Sequence, residues 1–264
     1  MGGRGSSSSM QLRAAPQPQP TPPAPAVQPQ AQPQIDDNGF SDTDTAGFHD
    51  LYNGRNYYQQ QNLDIDARMA LDDYLDPNTV PGSLYNFSQN MNYAIATGQS
   101  LTPQQQFAKD SIVDASHNLG YNVNLTRYDH GDFLDTRLAG IGITGGHDGM
   151  SVSQLKQALV GQTYTDPRIL STSYNNFKNA ANPSTFTTRE VKITYRAKAS
   201  SQALMPGDGP GGKLGEMLLM PSGTKGHNNY KIVDVKASGS KARKKGGSVS
   251  SLTIPQIEVV IEVD

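Results

Sequence analysis

Near residue 120 the spacing of apolar side chains changes, and that change decides the class of fold. Before it, hydrophobic residues recur at helical spacing: Ile65, Met69, Leu71 and Leu75, then Phe87, Met91 and Ile95, then Phe107, Ile112, Val113 and Leu119. The first run, Asp64 to Leu75, must stop before Pro77, whose ring disfavours helical backbone in the residue ahead of it. Gly98 is placed to stop the second and Gly120 the third. Thr102, with Pro103 at the first helical position and Gln105 behind it, forms a capping box for that third helix. Beyond residue 120 the period drops to two. Val123 and Leu125 alternate with polar residues into Arg127, and Val191, Ile193, Tyr195 and Ala197 alternate cleanly. Glu216 to Met220, Tyr230 to Val235 and Ile257 to Val263 add further strands, with one more helix expected from Ser151 to Leu159, capped by Ser151 or Ser153. Helices first and strands afterwards predict an α+β fold with a mainly antiparallel sheet, residues 48–120 forming its helical part and 121–264 its β-rich part.

Composition sets the outer limits. Residues 1–47 hold a Pro-, Gln- and Ser-rich leader with almost no large apolar side chain to offset chain entropy, so folding is expected to begin at residue 48. A formal net charge of −2 gives no whole-molecule field to draw the chain to nucleic acid or a membrane surface. The basic run Lys241 to Lys245, between Gly239 and Gly246-Gly247, reads as a solvated loop joining two strands. With no cysteine there is no disulfide, thiolate metal site or cysteine nucleophile. No apolar signal core or membrane-length stretch is present, which predicts a cytoplasmic protein without a membrane partner. His49, His117, His130, His147 and His227 show no metal spacing, and Asp129-His130-Gly131-Asp132 and His147-Asp148-Gly149 read as turns. Asp42 and Asp44 resemble the start of a calcium loop, but Ala46 and Asn53 stand where ligands belong, so no metal is expected.

Three segments carry the chemistry: Leu125-Thr126-Arg127-Tyr128, Ile169-Leu170-Ser171-Thr172-Ser173, and Glu216-Met217-Leu218-Leu219 ahead of Pro221-Ser222-Gly223-Thr224. A guanidinium fork suits a diphosphate because it donates to two oxygens at once. Taken singly, Arg127 is a surface ion-pair residue, the hydroxyls satisfy nearby backbone, and Glu216 opens an edge strand. Taken together, the segments resemble the mono-ADP-ribosyltransferase family, in its arginine, Ser-Thr-Ser, glutamate branch, and the resemblance is most specific from Gly161 onward. The opening Met1 to Ser7 also resembles the start of many small bacteriophage proteins.

The resemblance implies a two-sheet NAD-binding core, NAD consumed as cosubstrate, no metal, and ADP-ribose passed to a macromolecule, a protein being the expected class. Arg127 and Tyr128 would bind NAD. Ser171 would orient Glu216, the catalytic acid, while Thr172 and Ser173 finish the nicotinamide wall. Phe186 would stack on nicotinamide, with Tyr174 and Phe177 as competitors. Relatives carry Glu or Gln two residues before the catalytic Glu to engage the acceptor, and this sequence has Leu214. A NAD glycohydrolase, or a non-enzymatic or virion-associated protein keeping the fold, are the alternatives. The glycines from Gly207 to Gly212 match a dinucleotide fingerprint in spacing but lack the helix that should follow, and read as a loop.

Overall fold

The computed structural model describes residues 63–120, 122–173, 190–206, 216–223, 228–245 and 248–264. The leader, the Asp42 and Asp44 segment and the glycine-rich loop lie outside the described residues.

Helix α1 spans Ile65–Leu75, with the Asp64 carboxylate accepting from the Ala67 N–H at 2.8 Å and the helix ending ahead of Pro77. Its buried face is Ala67, Ala70, Leu71 and Tyr74, whereas Ile65 and Met69 are 72% and 57% exposed. The expected helix is present, but its inward stripe runs through two alanines, whose small size hides them from a search for large apolar residues. Helix α2 spans Phe87–Thr97, with a capping box between Asn86 and Gln89 and Gly98 in the left-handed region at φ 70°. Helix α3 spans Pro103–Ala115 behind the expected Thr102 and Gln105 box. It stops short of Leu119 and Gly120, whose N–H groups donate instead to the carbonyls of Ser201 and Ala199. Gly120 therefore does not close the helix. Helix α4, Asp132–Gly140, begins where a turn was expected, and α5 spans Val152–Leu159 behind the Ser151 cap.

The strands are β1 (His117–Asn118), β2 (Val123–His130), β3 (Thr163–Tyr164), β4 (Leu170–Ser173), β5 (Glu190–Ala197), β6 (Gln202–Leu204), β7 (Glu216–Leu219), β8 (Tyr230–Lys245) and β9 (Ser248–Val263). They pair in the order β1-β6-β7-β4-β2-β5-β9-β8-β3, so a ladder runs through all nine. Only β5 and β9 pair in parallel among these neighbours. Among the described residues the thinnest link of this ladder is the single pair Thr126↔Ser173 between β2 and β4. The basic run is not a loop. Lys241 to Lys245 continue β8 opposite β9, from Lys241↔Ile254 to Lys245↔Ser248, because a hydrogen-bonded partner strand satisfies the backbone whatever the side-chain charge.

Two cores flank the strands. One joins Val123, Leu125, Ile193, Tyr195 and Ile261 to Leu134 and Leu138 of α4 and Leu155 and Leu159 of α5. The other joins Leu71 and Tyr74 of α1, Met91 of α2 and Ile112 of α3 to Ile169 and Leu218. Side chains alternate along an extended chain, so β7 and β4 with the residue before it feed both: Leu170, Met217 and Leu219 enter the first core, Ile169 and Leu218 the second. Each fully buried Leu or Ile contributes roughly 1.5–3 kcal/mol of transfer free energy, so this division is strongly enforced. It also fixes Ser171 and Glu216 on the side of helices α1 to α3.

Candidate active site

The register of β4 and β7 pairs Ser173 with Glu216 and Ser171 with Leu218. Ser171 and Glu216 are thus diagonal neighbours on one face, within reach of each other's side chains. The Ser171 hydroxyl donates to Glu216 Oε1, which restrains the carboxylate rotamer. Arg127 reaches the same point from β2. Beyond Thr126↔Ser173 the two strands no longer pair, and the Arg127 guanidinium donates through Nη1 to the Ser171 carbonyl at 3.0 Å. Its Nε lies 3.5 Å from Asp129 Oδ2. Burial works against the charge on Arg127, yet Asp129 and the neighbouring tyrosines hold its pKa above the ordinary value.

These groups border a cleft of about 510 Å³ that also takes in Arg168 from the segment before β4 and Tyr74 and Asn92 from the helices. Tyr74 donates to the Ile169 carbonyl at 3.2 Å, and Asn92 Nδ2 donates to both the Tyr74 hydroxyl and that carbonyl, each at 3.2 Å. The helices are therefore tied to the sheet two residues before Ser171. Burial pushes the Tyr74 phenol up to about 12, so it stays a neutral donor at physiological pH. Arg168 is held by the buried Asp166, through Nε to Oδ1 at 2.9 Å and Nη2 to Oδ2 at 2.8 Å. That hydrogen bonding raises the Arg168 pKa further despite desolvation. Asp166 is pinned in turn by the turn after β7: its N–H donates to the Ser222 hydroxyl and its carbonyl accepts from the Ser222 N–H. At the mouth, the exposed rings of Tyr85 and Tyr93 stack with centroids 6.4 Å apart.

Of the residues expected at the site, Arg127, Ser171 and Glu216 come together. Thr172 points to the other face, fully buried, with its hydroxyl donating to the Met217 carbonyl at 2.8 Å. Ser173 is buried opposite Thr126 and Glu216. Tyr128 is half-buried opposite Lys192 on β5 and does not line the cleft. Phe186, Tyr174, Phe177 and Leu214 lie outside the described residues. Arg168, Tyr74 and Asn92 were missed. The Asp166-Pro167-Arg168 sequence directly before a hydrophobic strand was the available signal for Arg168; no pattern in α1 or α2 marks the other two.

Two guanidinium groups and one restrained carboxylate around a cleft suit an anionic ligand whose reacting centre gains positive charge beside the acid. Among the described residues no cluster of three or more His, Asp or Glu side chains could hold a metal ion, and no helix is long and apolar enough to cross a membrane.

Neither a family model nor a curated protein matches the chain. Solved structures do. The chain is similar to the C3 exoenzyme of Clostridium limosum (15% identity, TM-score 0.55, covering 86% of this chain and 98% of that one). It is similar as well to Plx2a, an ADP-ribosyltransferase toxin from Paenibacillus larvae (16%, 0.54, 81% and 94%). A third is C3stau2 from S. aureus, solved with NAD (14%, 0.53, 85% and 98%). The fold matches that of ADP-ribosyltransferase toxins, and at such identities the likeness is one of fold.

Proposed function

We propose that residues 48–264 form an NAD-dependent mono-ADP-ribosyltransferase domain that passes ADP-ribose to a macromolecular acceptor, a protein being the class we favour. The observation that carries this reading is the Ser171–Glu216 hydrogen bond beside Arg127, in a cleft on this fold. Arg127 and Arg168 would hold the diphosphate. The bond between ribose C1′ and the nicotinamide nitrogen breaks with its electron pair going to nicotinamide, which leaves neutral. The ribose becomes an oxocarbenium-like cation, and Glu216, bonded to the 2′-hydroxyl and oriented by Ser171, stabilises charge that exists only in the transition state. An acceptor nucleophile then bonds to C1′ and loses its proton. In this reading Thr172 and Ser173 support the nicotinamide wall from within β4, and Phe186 is a further NAD contact.

A NAD glycohydrolase, with water as the nucleophile, is the second reading, favoured by Leu214 at the position where relatives engage the acceptor. Labelled NAD given to the protein with and without cell lysate separates them. Transfer predicts label on a macromolecule, lost in Glu216→Ala. Hydrolysis predicts free ADP-ribose alone, and equal labelling by wild type and Glu216→Ala overturns the assignment of the site.

A further inference from the structure

A second cavity, of about 570 Å³, opens between α4, β3 and the start of β8, with Arg137, Gln162, Thr163, Tyr164, Thr165 and Asn229 in its wall. That size falls within the usual range of small-molecule sites. Its lining carries a single formal charge, Arg137, and no carboxylate. The Arg137 side chain is only 15% exposed, and its guanidinium carbon lies 3.7 Å from the centre of the Tyr164 ring and 5.2 Å from that of Phe133. The rings hold it in place by their quadrupoles.

Its countercharge is poorly placed. Arg137 Nη2 stands 3.5 Å from Asp166 Oδ2, while Arg168 takes both oxygens of that carboxylate at closer range. Arg137 Nε and the Tyr164 hydroxyl are both buried without a hydrogen-bond partner. Native interiors rarely leave two such groups side by side, and a guanidinium with a loosely matched charge attracts an anion. Thr163, Thr165 and Asn229 border the same space and carry hydroxyl and amide groups able to satisfy the remaining oxygens, and Gln162 borders it with its Nε2 already donating to the Ala158 carbonyl at 3.1 Å.

We propose that this cavity binds a small molecule through an oxyanion group, carboxylate or phosphate, held by Arg137. Asp166 serves Arg137 here and Arg168 in the first cleft, so the two cavities share one carboxylate and an occupant of the second bears on the cation of the first. The binding claim itself is independent of the transferase reading and is tested without any turnover.

The test is a titration of the full chain with inorganic phosphate and, separately, with succinate at constant ionic strength, following the arginine Nε–Hε NMR signals. At least one probe is expected to shift the Arg137 signal saturably, and the one that does identifies the headgroup. Arg137→Gln should abolish that binding. Gly140→Trp, built at a position where an added Cβ meets nothing within 4 Å, should crowd the cavity and weaken binding at least about tenfold. Should Arg137→Gln fail to fold, Gly140→Trp decides alone. No saturable shift with either probe, or binding undiminished in Gly140→Trp, overturns the proposal.

Discussion

Ser171 and Thr172 are adjacent residues with almost the same polar group, and they meet opposite fates. The Ser171 hydroxyl faces the helices, half-buried at the cleft, and donates to Glu216; the Thr172 hydroxyl is fully buried on the other face and donates to the Met217 carbonyl. The difference comes from strand alternation alone. One face of β4 and β7 presents the acid and its hydroxyl to open space because β2 and β4 stop pairing there, while the other face is sealed by Leu170, Met217 and Leu219 in the larger core. A two-residue hydroxyl motif thus divides its work: one group holds the Glu216 carboxylate and its neighbour clamps two strands.

Substitutions can break that division, and the largest effect belongs to the acid. Glu216→Gln is expected to lower the rate of nicotinamide release by on the order of 10² to 10³, read as kcat, with the melting temperature little changed. Ser171→Ala removes a hydrogen bond to a charged group, worth about 1.5–3 kcal/mol, so kcat should fall by roughly 10- to 100-fold while Glu216 remains present. Thr172→Val keeps shape and deletes the buried hydroxyl; about 1 kcal/mol of stability should be lost in denaturant unfolding, with kcat close to wild type. A kcat loss in Thr172→Val matching that of Ser171→Ala would collapse the distinction between the faces. The smallest effect is expected from Tyr74→Phe, which unties α1 from the Ile169 carbonyl at roughly 0.5–1 kcal/mol and should raise KM more than it lowers kcat.

Much of this arrangement was legible in the sequence. The caps at Thr102 and Ser151 mark their helices because the side chains that satisfy the first N–H groups are short-range features. The alternation of Val191, Ile193, Tyr195 and Ala197 marks β5 because every one of those side chains is buried. Arg127, Ser171 and Glu216 were legible as a set only through the resemblance to the mono-ADP-ribosyltransferase family, since each taken singly has an ordinary structural reading.

What escaped depends on long-range pairing. Helix α4 buries only Phe133, Leu134 and Leu138, one i, i+4 pair in a nine-residue helix, and it begins on the last residue of Asp129-His130-Gly131-Asp132, which has the chemistry of a turn. Lys241 to Lys245 form a strand because β9 lies beside them, a partner that no local charge count reveals. Arg168 reads as the local partner of Asp166, which it is; its second position, in the cleft wall, exists only once α1 and α2 have docked on the sheet. Tyr74 and Asn92 are invisible for the same reason.

The most direct test is a crystal structure of Glu216→Gln with NAD, a variant that should bind the cosubstrate without consuming it. The diphosphate is expected on Arg127 and Arg168 and the nicotinamide ribose beside residues 171 and 216. NAD bound elsewhere on the molecule, or a cleft that stays empty at saturating NAD, would contradict it.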